Sequence, residues 1–329
     1  MDNPLIECKS LTKIFEVSQG LFGKKVYIRA VDNVSFEINK GDSISLVGES
    51  GCGKSTLGKL VLALLKPTSG HILFEGKDVW KMNKKEFMEY RRNAQIVHQN
   101  PYNALNPVRT IYQTLAPPLL RYKIVRNKRE AQDKVKELLR LVGLEPPSDF
   151  MTRYPSRLSG GQMQRVAIAR ALTTNPKFLV ADEAVSMLDA SLRIEVLNLL
   201  LDLKKKFDLT CLFITHDLAV ARYFSMRGKV MVMYLGNIVE FGNTEEVIQN
   251  PLHPYTKALI SAVPIPDPKI QRERKTLPVK DVELPSVTEM PSGCKFHSRC
   301  PYAEEDCAKK IPELVEIKEG RLVACHQYL

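Results

Sequence analysis

The stretch that decides the fold is Gly48-Glu49-Ser50-Gly51-Cys52-Gly53-Lys54-Ser55. It follows an apolar run at 43–47 that is typical of a strand, and it precedes residues 57–65, whose apolar side chains recur at helical spacing. A glycine-rich turn between a strand and a helix offers backbone N–H groups to a phosphate without side-chain obstruction, and the helix points its positive end at the anion. The stretch therefore predicts a phosphate-binding loop in an α/β protein.

Different residues of this loop are expected to contact different parts of a nucleotide. The glycines permit the tight turn, Lys54 reaches the β- and γ-phosphates, and Ser55 offers its hydroxyl to Mg²⁺. The predicted nucleotide-binding residues of this stretch are Gly48, Ser50, Gly51, Cys52, Gly53, Lys54, Ser55 and Thr56.

Two shorter stretches follow this loop along the chain. In Leu158-Ser159-Gly160-Gly161-Gln162 the serine is a good helix N-cap and the glycines let backbone approach an oxyanion, so this helix start predicts a second anion site. In Phe178-Leu179-Val180-Ala181-Asp182-Glu183 an apolar strand ends in two carboxylates, which point in opposite directions in an extended chain.

Helical and strand-like segments alternate over much of the chain. The pattern predicts helices at 128–142, 162–172 and 192–207, strands at 178–181 and 210–215, and a hairpin over 230–241 that turns at Gly236-Asn237. Residues 100–157 predict a mostly helical insertion whose early part is broken by Pro101, Pro107, Pro117 and Pro118. Such alternation favours a mostly parallel sheet covered on both faces.

Composition and charge restrict the kinds of partner and the location that the chain can have. The chain has 329 residues, 44% hydrophobic and 26% charged, with a net charge of +11 that suits anionic partners such as a nucleotide, an acidic protein, a lipid surface or nucleic acid. No apolar run approaches the roughly 20 residues that cross a bilayer, and the first residues have no secretory signal pattern. We therefore expect no transmembrane segment, no signal peptide and a cytoplasmic location.

The order of the loop, the 158–162 stretch and the 178–183 strand resembles that of ABC-type ATPases. The resemblance implies a P-loop NTPase core of α/β class, with an antiparallel β subdomain and a helical subdomain, that hydrolyses ATP with Mg²⁺. It assigns Asp182 to the Mg²⁺ shell and Glu183 to polarising the attacking water. His216, after the strand at 210–215, resembles the switch histidine that contacts the γ-phosphate.

Other assignments rest on this resemblance alone. Gln99 lies where the family has its Q-loop glutamine, which touches both Mg²⁺ and water, so Ser55, Gln99 and Asp182 are the expected Mg²⁺ ligands. Phe15 stands where the family presents an aromatic ring to adenine, although a core phenylalanine is the alternative. Asp189 resembles the D-loop aspartate at the subunit interface.

The resemblance also implies a dimer. In ABC ATPases the signature of one subunit closes over the nucleotide held by the phosphate loop of the other, which explains two anion sites on one chain. The residues expected to reach the partner's nucleotide are Ser159, Gly160, Gly161, Gln162 and Asp189. Three positions depart from the family's usual residues, namely Arg157, Ala184 and Met187, and none of them removes a catalytic group.

Seven cysteines divide into two groups. Cys8, Cys52 and Cys211 are expected as free thiols of a reducing compartment. The other four, which fall within 32 residues, are enough for a tetrahedral zinc site, an iron–sulfur cluster or unmetallated thiols: Cys294, Cys300, Cys307 and Cys325. Their wide spacing suits a cluster better than zinc knuckles, and His297 and His326 could serve as ligands in a zinc version.

Residues of the C-terminal third resemble one subfamily of the ABC-type ATPases. The stretch His253-Pro254-Tyr255-Thr256-Lys257-Ala258-Leu259, a proline-rich connector and Pro291-Ser292-Gly293-Cys294 look like the C-terminal extension of ATPases that serve dipeptide and oligopeptide importers. That subfamily implies a [4Fe–4S] cluster on the four cysteines. It also implies a second ATPase subunit, two integral membrane permeases and an extracytoplasmic peptide-binding protein, with this chain peripheral at the cytoplasmic face of the membrane.

Other functions remain open at this point. A soluble ABC-type ATPase acting on nucleic acid is the main alternative, but such proteins generally carry a long coiled-coil insertion or tandem modules, and only residues 100–157 lie between Gln99 and Leu158. Import of another ligand such as nickel is a second alternative, and a redox-sensing role of the terminal cysteines is a third.

The predicted domain organisation has five parts. They are a first part of the nucleotide-binding core at 1–98, a helical subdomain at 99–157, a second part of the core at 158–250, a proline-rich connector at 251–293 and the cysteine extension at 294–329.

Overall fold

The computed structural model describes residues 3–18, 25–263, 279, 285 and 290–329. Most of the predicted proline-rich connector therefore lies outside the described residues. The chain divides into two compact units: the first comprises Met1–Ile38, Ser43–Trp80 and Thr215–Leu329, and the second comprises Asn39–Asp42 and Lys81–Ile214.

The strands of the described residues are β1 Ile6–Ser18, β2 Lys25–Ile38, β3 Ser43–Val47, β4 Ser69–Phe74, β5 Lys77–Asp78, β6 Ala94–Val97, β7 Phe178–Asp182, β8 Thr210–Thr215, β9 Lys229–Tyr234, β10 Asn237–Asn243, β11 Val315–Lys318 and β12 Arg321–Val323. The α-helices of the same residues are α1 Lys54–Val61, α2 Lys84–Asn93, α3 Pro101–Ala104, α4 Ile111–Arg121, α5 Lys128–Leu141, α6 Pro147–Met151, α7 Gly160–Leu172, α8 Ala190–Phe207, α9 Leu218–Phe224, α10 Thr244–Gln249, α11 Pro254–Ala262 and α12 Glu305–Lys309. Short 3-10 turns lie at Val79–Lys81, Pro155–Arg157 and His326–Tyr328.

The first unit contains a four-stranded antiparallel sheet in the order β2-β1-β4-β5. β1 and β2 pair over most of their length, from Ile6 opposite Ile38 to Val17 opposite Val26. Exposed and less exposed residues alternate along β2, which is the period of a strand with one face on a core. This sheet is the antiparallel β subdomain that the family resemblance implies.

Five further strands of the first unit lie side by side in the order β11-β12-β10-β9-β3. β3 runs parallel to β9, with Val47 opposite Val232, and β9 and β10 form the hairpin predicted around Gly236. β12 pairs with β10, placing Val323 opposite Glu240. The C-terminal extension is therefore part of the layer whose strand β3 leads into the phosphate loop.

The core of the first unit is shared with the C-terminal extension. Val47 at the end of β3, Tyr234, Tyr255 and Phe296 belong to one buried cluster. The rings of Tyr234 and Phe296 meet edge to face with centroids 5.3 Å apart, a favourable aromatic geometry. The extension thus fills space beside β3.

The second unit holds a parallel sheet in which β7 pairs with β6 on one side and with β8 on the other. All five residues of β7 are buried, as expected for a central parallel strand covered on both faces. The helix–strand alternation predicted for this part of the chain is confirmed, and α5 ends within one residue of its predicted end.

Helix α4 differs from the expected break at two prolines. Pro117 and Pro118 lie inside the helix, although an interior proline removes a backbone donor and clashes with the preceding turn. A capping box between Thr110 and Gln113 fixes the helix start, and a buried face that includes Leu115 and Leu119 anchors it. Packing and capping therefore outweigh the local cost of the prolines.

Within the ranges that the structure describes, none of the helices combines the length and apolar character needed to cross a membrane.

Candidate functional site

The phosphate loop joins β3 to α1 in the first unit, as predicted. Gly48 has φ 154° and Gly53, the N-cap of α1, has φ 107°. A Cβ atom would lie 2.1 Å from the Met233 carbonyl oxygen at Gly48 and 2.0 Å from the Ala30 carbonyl oxygen at Gly53. Only glycine fits at these two positions, so the neighbouring strands fix the shape of the loop.

Lys54 is buried at the start of α1. Its Nζ donates to the carbonyl oxygens of Gly48 and Glu49, each at 2.8 Å. Ser50 and Gly51 lie at the tip of the loop, and Ser55 and Thr56 continue the first turn of α1. The helix N-terminus and the lysine ammonium place positive charge beside this loop, which favours an anion.

Cys52 is buried inside the loop. Burial raises the pKa of its thiol, and the nearby Lys54 ammonium only partly opposes that shift. The thiol is therefore neutral near pH 7 and acts as a small packing group in the loop.

Two other predicted residues belong to the first unit. Phe15 lies on β1 opposite Ile28, and its ring is half-buried with the Lys13 ammonium 5.2 Å from the ring centroid. His216 follows β8 directly and is exposed. Phe15 is thus outside the core and accessible, as a residue that stacks on a base must be.

The second unit brings the predicted catalytic carboxylate and glutamine together. Gln99 Nε2 donates to Glu183 Oε2 at 2.8 Å and approaches Ser186 Oγ at 3.4 Å. Glu183 follows the buried Asp182 at the end of β7 and has φ 47°, a left-handed conformation that costs energy for a non-glycine residue and is common at functional sites. The backbone turn and the glutamine together fix where the Glu183 carboxylate points.

The signature stretch begins α7. Ser159 Oγ accepts from the Gln162 N–H at 3.2 Å, and Gln162 Oε1 accepts from the Ser159 N–H at 3.1 Å, which completes a capping box. A Cβ atom at Gly160 would meet nothing within 4 Å, whereas one at Gly161 would lie 3.3 Å from Leu192. The start of α7 therefore has an open approach at Gly160.

Asp189 has a structural task in the same unit. Its carboxylate accepts from the Leu192 N–H at 3.0 Å and caps α8. Met187, one of the departures from the family pattern, is exposed nearby.

The four C-terminal cysteines line one small cavity together with Phe296. Burial raises the pKa of Cys294 to about 11, and the other three cysteines add to the shift. Burial also raises the pKa of Cys325. In the ranges 3–18, 25–263 and 290–329, however, no group of three or more His, Cys, Asp or Glu side chains is arranged to hold a metal ion, so neither the expected [4Fe–4S] cluster nor the zinc alternative has a preformed ligand group there.

The structure also shows contacts at the phosphate loop that the sequence did not indicate. The Glu49 N–H donates to Tyr255 Oη at 2.9 Å, and the Glu49 carboxylate accepts from Arg299 Nη1 at 3.1 and 3.2 Å. Lys295 donates to Asp32 at 3.0 Å and to the Leu235 carbonyl oxygen at 2.8 Å. Tyr255 lies in a stretch noted only for its resemblance, and no local pattern marks Arg299 as a partner of the loop.

Comparison with known proteins places these features in a family. Residues 31–186 match the ABC transporter family, and residues 239–307 match the family described as oligopeptide/dipeptide transporter, C-terminal region. The oligopeptide transport ATP-binding protein AppF of Bacillus subtilis is 45% identical over 98% of this chain and 97% of its own length. The chain belongs to the oligopeptide and dipeptide transport ATP-binding proteins of the ABC transporter family.

Further relatives agree with this family. The di/tripeptide transport ATP-binding protein DppF of Pseudomonas aeruginosa is 44% identical over 98% of the chain and 97% of its own length. The oligopeptide transport ATP-binding protein OppF of Escherichia coli is 44% identical over 94% of the chain and 92% of its own length. As a member of this family of ABC ATPases, the chain binds and hydrolyses ATP, and it is the subunit that energises a peptide transporter.

Solved structures confirm the P-loop ATPase fold. A dimeric ATP-binding cassette in a post-hydrolysis state, bound to ADP and phosphate, superposes with a TM-score of 0.63 at 29% identity over 73% of this chain and 98% of that one. The protein cbiO1 from Clostridium perfringens, part of the ABC transporter complex cbiONQ, gives a TM-score of 0.62 at 29% identity over 76% of this chain and 92% of that one.

Proposed function

We propose that Glu183 orients the water that attacks the γ-phosphate of ATP and that Gln99 holds Glu183 in place for this task. The contact of 2.8 Å between Gln99 Nε2 and Glu183 Oε2 is the observation that carries the proposal. Phosphoryl transfer to water needs little covalent chemistry from the protein, so positioning and charge stabilisation supply most of the rate. Lys54 and the start of α1 neutralise phosphate charge, and His216 contacts the γ-phosphate.

Mg²⁺ belongs to this chemistry through hard oxygen ligands. The proposed ligands are the Ser55 hydroxyl, the Asp182 carboxylate and the amide oxygen of Gln99. Since the Gln99 amide nitrogen donates to Glu183, its oxygen is the atom left to face a cation. When bound, the ion would neutralise charge on the phosphate oxygens.

The experiment that tests these roles is Glu183→Gln. We expect steady-state ATP hydrolysis to fall by a factor on the order of 100 or more while ATP binding persists, because glutamine keeps the contact with Gln99 but cannot accept a proton. The measurement pairs phosphate release with nucleotide binding at equilibrium. Unchanged hydrolysis would refute the assignment of Glu183, and lost binding would show that the substitution acts on affinity instead.

We further propose that the start of α7 acts on nucleotide held by a second ATPase subunit. The open approach at Gly160 and the helix N-terminus support this, since both favour an oxyanion from outside the chain. The proposed contacts come from Ser159, Gly160, Gly161 and Gln162, with Asp189 close to the subunit interface. The Glu183→Gln protein should therefore elute as an ATP-dependent dimer on size exclusion, and a strictly monomeric protein at saturating ATP would contradict the proposal.

The cargo and the remaining partners are also proposals. The relatives are named for transport of oligopeptides, dipeptides or tripeptides, so we assign peptide import through two integral membrane permeases and an extracytoplasmic peptide-binding protein. The chain would then lie peripherally at the cytoplasmic face of the membrane. Reconstitution of the full complex should give peptide-stimulated hydrolysis, and stimulation by nickel alone would favour the other cargo.

We propose, finally, that the four C-terminal cysteines hold a [4Fe–4S] cluster. The cavity that all four line supports this, because four cysteine thiolates are the ligand set of such a cluster. When bound, it would cross-link the small extension, which has few buried residues of its own.

The cluster proposal has a direct test. Protein purified without oxygen should contain iron and acid-labile sulfide in equal amounts, and Cys300→Ser should reduce both. Absence of iron and sulfide in the anaerobic protein would refute the cluster.

A further inference from the structure

The C-terminal extension reaches the phosphate loop at one charged residue, Glu49. Arg299 lies one residue before Cys300 and donates to the Glu49 carboxylate at 3.1 and 3.2 Å. We propose that Arg299 is a positioning residue of the ATP site, which cancels the charge of Glu49 and holds the phosphate loop in a form that accepts ATP. The proposal rests on ATP binding at this loop.

The Arg299–Glu49 ion pair is shielded from solvent on the arginine side. The Arg299 side chain is 8% exposed and the Glu49 side chain 26% exposed. The guanidinium carbon lies 5.8 Å from the ring centroids of both Tyr234 and Phe296, which restricts the positions that the arginine can adopt. A partly buried pair of this kind is screened by salt less than an exposed one.

Glu49 is bound to the same loop that carries the phosphate-binding lysine. Its carbonyl oxygen accepts from Lys54 Nζ at 2.8 Å, and its N–H donates to Tyr255 Oη at 2.9 Å. Tyr255 of α11 therefore holds the backbone of Glu49, and Arg299 of the extension holds its side chain. Movement of Glu49 would therefore also move the Lys54 ammonium, which is hydrogen-bonded to it.

Charge gives the pair a consequence beyond packing. A carboxylate in a loop that binds a polyanion opposes that binding, and a guanidinium at hydrogen-bond distance offsets the opposition. Loss of Arg299 should therefore weaken ATP binding, whereas loss of the Glu49 charge should strengthen it. A role in packing alone would make both changes neutral or harmful.

The experiment measures the Kd for ATP and the KM and kcat of hydrolysis in four variants of the full chain. Arg299→Ala should raise the Kd and KM about tenfold, equivalent to about 1.4 kcal/mol, with a much smaller change in kcat. Glu49→Gln should lower the Kd severalfold. Glu49→Gln/Arg299→Ala should return to within about threefold of the wild-type value, and Arg299→Lys, which keeps the charge, should stay close to it.

The matched control is Arg222→Ala, which removes another arginine–glutamate pair of the same unit. Arg222 Nη2 lies 2.7 Å from Glu245 Oε2 and both side chains are more exposed than Arg299, so the Kd for ATP should not change.

Two results would overturn the proposal. One is a double variant that binds ATP as weakly as Arg299→Ala, and the other is a Glu49→Gln protein with unchanged or weaker binding. If Arg299→Ala does not fold, Glu49→Gln and Arg299→Lys still decide the question, since neither leaves a buried cavity. Wild-type protein that fails to bind ATP would instead refute the assignment of the loop itself.

Discussion

Replacing Arg321 by methionine is expected to destabilise the first unit by about 3–5 kcal/mol, the usual cost of leaving one partner of a buried ion pair without the other. Arg321 Nη2 donates to Glu240 Oε1 at 2.5 Å, and the two side chains are 3% and 0% exposed. The same guanidinium donates to the Asn250 carbonyl oxygen at 2.9 Å. Methionine fills much of the space but removes the charged partner of the Glu240 carboxylate, which still accepts from the Leu252 and His253 N–H groups.

The loss should depend on pH. Burial raises the pKa of Glu240 above its ordinary value, although nearby donors and Arg321 lower it. Because the pKa is higher in the folded than in the unfolded state, the contribution of Glu240 to stability is fully present below the unfolded pKa and lost as the pH rises through the folded one. Without Arg321 the folded pKa rises further, so the difference from wild type should be larger at roughly pH 8 than at roughly pH 5.

The assay is thermal unfolding of both proteins at the two pH values. For a unit of this size about 1 kcal/mol corresponds to about 2–4 °C in Tm, so a fall on the order of 10 °C is expected at the higher pH. Glu240→Gln/Arg321→Met should recover much of it, because no buried charge then remains. Lys318 lies on the same hairpin as Arg321 and forms an exposed ion pair with Glu246 of α10. Lys318→Ala breaks this pair and should leave Tm nearly unchanged. A fall equal at both pH values and not recovered by the double variant would refute the electrostatic explanation.

Four further substitutions test the nucleotide site. Gly53→Ala places a Cβ atom 2.0 Å from the Ala30 carbonyl oxygen and should abolish nucleotide binding, measured by equilibrium dialysis. Gly160→Ala creates no such clash, so the isolated chain should still bind nucleotide. Ser159→Ala removes the cap of α7, worth about 1 kcal/mol, and should cut turnover about a hundredfold or less without loss of nucleotide binding. If the Phe15 ring stacks on adenine, Phe15→Ala should raise the Kd for ATP about fivefold or more, while Tm stays close to the wild-type value. An unchanged Kd would show that Phe15 has only a structural role.

Local signals account for the elements that the sequence predicted well. The strand at Thr210–Thr215 has the predicted limits, and α5 begins at the predicted Lys128, where Asn127 caps it by accepting from the Glu130 N–H. Capping residues and apolar periodicity lie within a few positions of each other, so they can be read without knowledge of the fold. The glycine constraints of the phosphate loop were predictable in kind for the same reason.

Long-range partners were not predictable from the same signals. Arg299 and Glu49 are 250 positions apart, and Lys295 and Asp32 are 263 apart. Each is an ordinary charged residue in its own stretch, and only the packing of the extension on the first unit brings the partners together. The family resemblance placed Gln99 beside Mg²⁺ and water but did not predict its contact with Glu183, because a polar residue after a short strand has no local mark of its role.

The position of the extension changes how the cysteine site should be regarded. A small cysteine-rich segment at a chain end is commonly a separate module, stabilised by its own metal or disulfides. Here Phe296 and Cys300 belong to the same buried cluster as Val47, the last residue before the phosphate loop, and β12 extends the layer that contains β3. Because Arg299 links the segment to Glu49, a change in the conformation of the cysteine cavity would reach the nucleotide loop through two neighbouring residues. The extension is therefore structurally part of the ATP-binding unit, and substitutions in it should be judged by nucleotide affinity as well as by stability.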